Sequence, residues 1–165
     1  MLDFVQEFSY MGLFLILLVE EGGIPIPIPG DIFIATASAF SKSNYLFVVA
    51  TVVASTLIGS TILFTISKKV GNPLLLKFGP KIRITKEKVK KVEKWFEKYG
   101  GLAIVIGRLI PGFRTITPFV AGLFGVSYKT FWLYTAVAAF IWANAYFFIG
   151  KFFGEIILAM KLLLP

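Results

Sequence analysis

Five charged residues stand beside two interruptions in an otherwise apolar chain. Glu20, Glu21 and Asp31 bracket the run Glu20-Glu21-Gly22-Gly23-Ile24-Pro25-Ile26-Pro27-Ile28-Pro29-Gly30-Asp31. Arg108 and Arg114 lie in Gly107-Arg108-Leu109-Ile110-Pro111-Gly112-Phe113-Arg114. Pro25, Pro27 and Pro29 remove backbone donors and favour extended chain, and Gly30, Pro111 and Gly112 extend the same break, so no helix runs through either segment. Two guanidinium forks near a helix break suit an anionic group, phosphate above all, through paired hydrogen bonds. A carboxyl in a low-dielectric pocket can hold a proton, which makes Glu20, Glu21 and Asp31 the candidate proton-coupling acids. Binding of an anion at the arginines with proton exchange at the acids is the chemistry these types allow. The plainer alternative is that Arg–carboxylate pairs only pin the two segments together, although a buried pair is weak evidence for stability.

Other chemistry is poorly served. The chain has no Cys and no His, so thiol catalysis, disulfides, Cys-ligated metals and the commonest zinc ligand and general base are excluded. Membrane lipid phosphatases of common types need a His nucleophile. Glu21 and Asp31 beside arginines make a poor Mg²⁺ or Ca²⁺ cage. An intramembrane aspartyl protease needs two Asp on spanning helices, and only Asp3 and Asp31 are present. No enzyme, cofactor or metal site is expected.

The elements that carry these residues are set by hydropathy. Hydrophobic residues make up 57 % of 165 positions and the mean hydropathy is +0.82, more apolar surface than a small soluble domain hides. The sequence therefore predicts a single all-α integral membrane domain over residues 1–165. Two uncharged stretches, Ser43–Ser67 and Thr130–Gly150, exceed the ~18–20 residues that a spanning helix needs. Phe8–Val19, Ile32–Ser41, Tyr99–Gly107 and Thr115–Tyr128 do not; a 12-residue helix reaches about 18 Å of a ~30 Å core. Joined in pairs by the two breaks, these short blocks read as re-entrant helical hairpins, since irregular backbone at membrane depth survives only where protein or water covers it. Asp3 and Glu7 replace the basic start of a signal peptide, so the first apolar block is expected to stay in the protein.

The halves resemble each other. Ile28-Pro29-Gly30 falls on Ile110-Pro111-Gly112 at an offset of 82, and one inserted residue places Ser67-Lys68 on Gly150-Lys151. Each half reads as hairpin plus spanning helix, about residues 4–71 and 100–154. One span per half inverts the second copy, as in transporters built from inverted repeats. Residues 68–98 hold eleven Lys/Arg against three acids and so carry the whole net charge of +8. Between apolar blocks this reads as a cytoplasmic loop rather than a nucleic-acid surface, and it leaves both termini outside. Within it, residues 85–99 form a basic amphipathic linker: Val89, Val92, Phe96 and Tyr99 share a stripe, Thr85 is the N-cap and Gly100-Gly101 the stop. This helix is expected on the inner leaflet, or as a connector. In the spans, Ser55/Gly59 and Ala139/Ala143 allow close packing, and Asn144 is expected to bond a neighbouring helix.

The first break resembles one signature of the DedA family, also called the VTT or SNARE-associated domain. The second break through Thr115, with Pro118 and Ala121-Gly122, is similar to the other. The resemblance runs from about Glu20 to Gly154. It implies a multi-pass protein of the bacterial or archaeal cytoplasmic membrane with two re-entrant hairpins. Family members are associated with translocating lipid phosphates, notably undecaprenyl phosphate, or phosphatidylethanolamine, and with the proton-motive force; eukaryotic relatives act as scramblases. The family's acids carry over to Glu20 and Asp31 and its arginines to Arg108 and Arg114. Glu21 is an extra acid where the family often has one, so either neighbour can take the role. Many members also have a longer N-terminus and a further C-terminal span, whereas Glu155–Pro165 is expected to be too short to cross. The expected function is proton-coupled flipping of a lipid phosphate, with membrane lipids and protons as partners, no nucleic acid, and a possible homo-oligomer. The alternatives are a proton-coupled carrier of small anions and a non-transporting scaffold.

Overall fold

In a computed structural model that describes residues 2–24, 26–39, 44–70, 86–110 and 112–163, the described chain forms seven α-helices and no strand: α1 (Leu2–Glu21), α2 (Gly30–Ala39), α3 (Tyr45–Val70), α4 (Lys86–Tyr99), α5 (Leu102–Leu109), α6 (Ile116–Leu123) and α7 (Tyr128–Leu163). Pro25, Pro111 and the expected N-cap Thr85 lie outside the described residues.

Local chemistry sets the ends. The Asn44 carboxamide accepts from Leu46 N at 2.9 Å and Ser127 Oγ from Thr130 N at 3.1 Å, which caps the starts of α3 and α7. At the end of α1, Ile24 N bonds Val19 O and Gly23 N bonds Glu20 O, with Gly23 at φ +92°. This closing pattern needs the left-handed backbone that glycine supplies. It recurs at the end of α6, where Val126 N bonds Ala121 O and Gly125 sits at φ +67°.

Two boundaries differ from expectation. Helix α1 begins at Leu2, well before the uncharged run that starts at Phe8. Helix α7 runs through Gly150 and Gly154 to Leu163 instead of stopping at Gly150. Both glycines lie against α2: a Cβ at either would run into the backbone at Ala35 or Ala39. They mark a close helix contact, not an end.

Helices α3 and α7 are long and apolar enough to cross a membrane, and they run antiparallel. At one end Phe64 stacks on Phe131 with ring centroids 4.2 Å apart. At the other the Tyr45 hydroxyl donates to Asn144 at 2.7 Å, the interhelical bond expected of Asn144. Isoleucines 58, 62 and 66 make an exposed apolar stripe on α3, which suits a lipid solvent.

The short helices fill the space between, α1 packing beside α2 and α5 beside α6. Tyr10 of α1 meets Asn44 at the start of α3, and the far end of α1 reaches Gly59, near the middle of α3. Helix α2 returns along α7. From the other end, α5 starts at Gly101 against Tyr134 and α6 returns with Gly122 on Ser67 and Phe64. The first arm of each hairpin packs on its own half's long helix, α1 on α3 and α5 on α7, while the second arm packs on the other's, α2 on α7 and α6 on α3.

Helix α4 is amphipathic as expected, and protein covers Val92 and part of Phe96 in its apolar stripe, while Tyr99 is exposed. Val92 is fully buried with Leu63, Ile116, Phe119 and Val120, and Trp95 and Phe96 pack beside it. The lysines at 90, 91, 94 and 98 stay exposed.

Because Gly122 has no room for a side chain, Gly122→Ala is expected to destabilise the fold by about 1–3 kcal/mol through overpacking. Gly12→Ala, at a site with nothing within 4 Å, is the control. Denaturant unfolding in detergent, followed by helical circular dichroism, measures both.

Candidate functional site

The hairpin tips meet at the level where α3 and α7 are half-way along. Gly59 is within two residues of the centre of α3, and Trp142 is at the centre of the apolar stretch Tyr128–Ile156. A Cβ on Gly59 would lie 2.6 Å from Leu18 O and 2.8 Å from the Glu21 Cβ, so this glycine seats the end of α1. That seat delivers Glu20 and Glu21 in the last turn of α1, where the helix dipole disfavours negative charge. The acids are therefore held by partners from elsewhere.

Those partners are the two arginines. Arg108 Nη2 donates to Glu21 Oε2 at 2.6 Å, with side chains 3 % and 0 % exposed. Arg114 serves three carboxylates at once: Nη2 is 2.7 Å from Glu20 Oε1, Nε 3.0 Å from Glu21 Oε1, and Nη1 3.0 Å from Asp31 Oδ1. Its contact with Glu21 is close but misaligned, and Glu21 Oε1 has no hydrogen bond; Coulomb attraction rather than a shared hydrogen joins them. Buried Arg108 Nη1 also lacks an acceptor. The Glu20 Oε2 atom accepts from Gly30 N at 3.0 Å and closes the start of α2. Gly30 is needed there, because a Cβ would collide with Glu20 and Leu17.

All five expected charges thus form one network, and every ion pair in it joins hairpin one to hairpin two. The two neighbouring acids separate. Glu21 is sealed between both guanidiniums, while Glu20 and Asp31 line a cavity of about 400 Å³ together with Arg108 and Arg114. Pro29 and Gly112, at φ +79°, also line it; Pro27 is exposed. Ile24, Ile26, Leu63, Leu109 and Ile116 supply apolar wall.

Three lining residues were not legible as site residues. Trp142 lies under Arg114, whose Cζ is 4.0 Å from the ring centroid, and its Nε1 donates to Asp31 Oδ1 at 2.9 Å. Tyr146 follows one turn later on the same face. A Trp and a Tyr four apart at mid-span, away from the interface where such rings concentrate, was the available signal. The third, Lys88, comes from α4.

A helical membrane protein with two long apolar helices and a cavity lined by a network of ion pairs is the class that fold and site define. The chain matches the VTT domain over residues 28–152 and belongs to that family, the DedA membrane proteins. It is 34 % identical to protein DedA of Escherichia coli over 93 % of this chain and 74 % of that one. It is 29 % identical to the uncharacterized membrane protein YbfM of Bacillus subtilis, over 92 % and 94 %. With undecaprenyl phosphate transporter A of Staphylococcus aureus the identity is 28 %, over 90 % and 76 %. Relatives from Lactococcus lactis bear the name alkaline phosphatase-like protein. No solved structure matches the chain.

Glu21→Gln leaves the Arg108 charge buried without its counter-charge and is expected to cost about 3–5 kcal/mol. Glu20→Gln, at a side chain 15 % exposed, is expected to cost less than half of that. A denaturant series on both variants and on Glu21→Gln/Arg108→Gln, where the loss should be partly recovered, checks the ranking.

Proposed function

We propose that the protein translocates a lipid phosphate across the cytoplasmic membrane in a proton-coupled step. The observation that carries this reading is the charge balance of the cavity cluster: three carboxylates share two guanidiniums. An anion can take the arginines only if it displaces carboxylates from them. Protonation of Glu20 or Asp31, the two acids that line the cavity, weakens their hold on Arg114 and opens its fork to phosphate. Arg108 Nη1, with no acceptor of its own, is a ready donor beside it. Loss of the protons restores the carboxylate contacts and expels the anion. Carboxylate and anion then alternate at one guanidinium, with protons and anion taken up and released together, which is a coupling mechanism. Glu21, sealed from the cavity, serves as the fixed counter-charge.

The apolar wall of the cavity supports a substrate with a hydrocarbon chain, and the relatives named undecaprenyl phosphate transporter A support its class. We read the two halves, about residues 4–71 and 100–154, as inverted repeats with re-entrant hairpins. The exchange of second arms between the long helices supports this, because rocking one half against the other would expose the cluster to either side. Residues 68–98 would face the cytoplasm under the positive-inside rule, with both termini outside. A phosphatase reading has less support, since it rests on the name of the Lactococcus lactis relatives alone.

Flipping of labelled undecaprenyl phosphate in proteoliposomes tests the proposal. Arg114→Lys, which cannot hold three carboxylates with one ammonium, is expected to lower the rate at least about tenfold, a loss of ~1.4 kcal/mol. Wild-type flipping should rise with an imposed proton gradient and fall with a protonophore. Competition by a water-soluble anion would favour the small-anion carrier. Wild-type liposomes no faster than empty ones would favour the scaffold.

A further inference from the structure

Lys88 belongs to neither charged junction, yet it lines the same cavity as Glu20, Asp31, Arg108 and Arg114. The docking of α4 puts it there. Val92, one turn along, is buried against Leu63 and Ile116, and both of those residues are cavity wall. Residues four apart share a helix face, so the face that buries Val92 turns Lys88 toward the cavity.

Two arguments give this lysine a task. With all five groups ionised, the cluster carries one negative charge in excess, which opposes an approaching anion; one lysine on the cavity lining cancels that excess. Lys88 also sits in the first turn of α4, where the helix dipole disfavours a cation. Stability of the helix does not explain its position, and acids across the cavity do. We propose that Lys88 positions the substrate: its ammonium meets the phosphate on the α4 side of the cavity and delivers it to Arg108 and Arg114. A compact charge with rotatable donors on a four-carbon stem suits a group that must let go again, as a rigid guanidinium fork does not. The proposal rests on the translocation reading above, and it makes α4 part of the transport site.

Initial flipping rates of undecaprenyl phosphate at increasing mole fraction in proteoliposomes test it, with wild type, Lys88→Gln, Lys88→Arg and Lys94→Gln. Lys88→Gln is expected to raise half-saturation about ten- to a hundredfold, the range of a hydrogen bond to a charged group, with the maximal rate within about twofold. Lys88→Arg should recover most of the affinity, and Lys94→Gln, on the exposed face, should match wild type. Inorganic phosphate as competitor decides the source: inhibition that Lys88→Gln relieves assigns this lysine to free phosphate as well, and no inhibition assigns it to the lipid headgroup alone. Half-saturation unchanged in Lys88→Gln, or a maximal rate and unfolding temperature that fall together without rescue by arginine, would overturn the positioning role alone. A wild-type protein that moves no lipid phosphate would overturn this role and the translocation reading together.

Discussion

Everything in this structure depends on keeping Glu21 and Arg108 together out of water. Neither side chain has a second environment that would accept it: one is fully buried and the other nearly so. Removing a charge from water costs several kcal/mol per ion even after relaxation, and only a counter-charge with good geometry offsets that. The pair therefore fixes where the end of α1 and the end of α5 must lie. Gly59 and Gly30 then appear where they do because the backbones come too close for a side chain. The glycines are consequences of the charges, not independent features.

The dipoles sharpen the argument. Glu20 and Glu21 stand at the negative end of α1, an arrangement that a lone hairpin would disfavour, whereas Arg108 stands at the favourable end of α5. Hairpin one is electrostatically unstable by itself and hairpin two can supply what it lacks. Trp142 adds a second kind of support. Its ring face lies against the Arg114 cation and its N–H holds Asp31, so one indole steadies both signs of charge. That dual contact explains why a polar-edged aromatic is placed at mid-span, where a leucine would pack equally well.

Much of this was legible in the sequence, and the part that was not has physical causes. The proline and glycine breaks, the two long apolar stretches and the five misplaced charges follow from backbone chemistry and hydropathy, and the two long stretches fall in α3 and α7 as those rules put them. The contact between Asp31 and Arg114, 83 positions apart, could be inferred only because isolated charges at depth need partners. Helix ends were harder. The second long stretch was bounded at Gly150 because Lys151 ends the uncharged run, but one charge does not end a helix, and α7 continues past it to Leu163. The stripe of α4 correctly predicted a helix; periodicity cannot tell whether protein or lipid covers it. Trp142 and Lys88 were hidden because their role depends on which way a face turns once neighbours are packed.

The crossing of the ion pairs between halves has a consequence in time. Arg108 follows Glu21 by 87 residues, and ribosomes add about 5–20 residues per second. Three acids thus wait roughly 4–17 s for their counter-charges while the chain is still being made. Over that interval α1 and α2 have no arginine to meet and no partner helix α7 to lie on. The first half enters its final position as a late event, after the second half exists. The charge network can close only after the second half of the chain has been made.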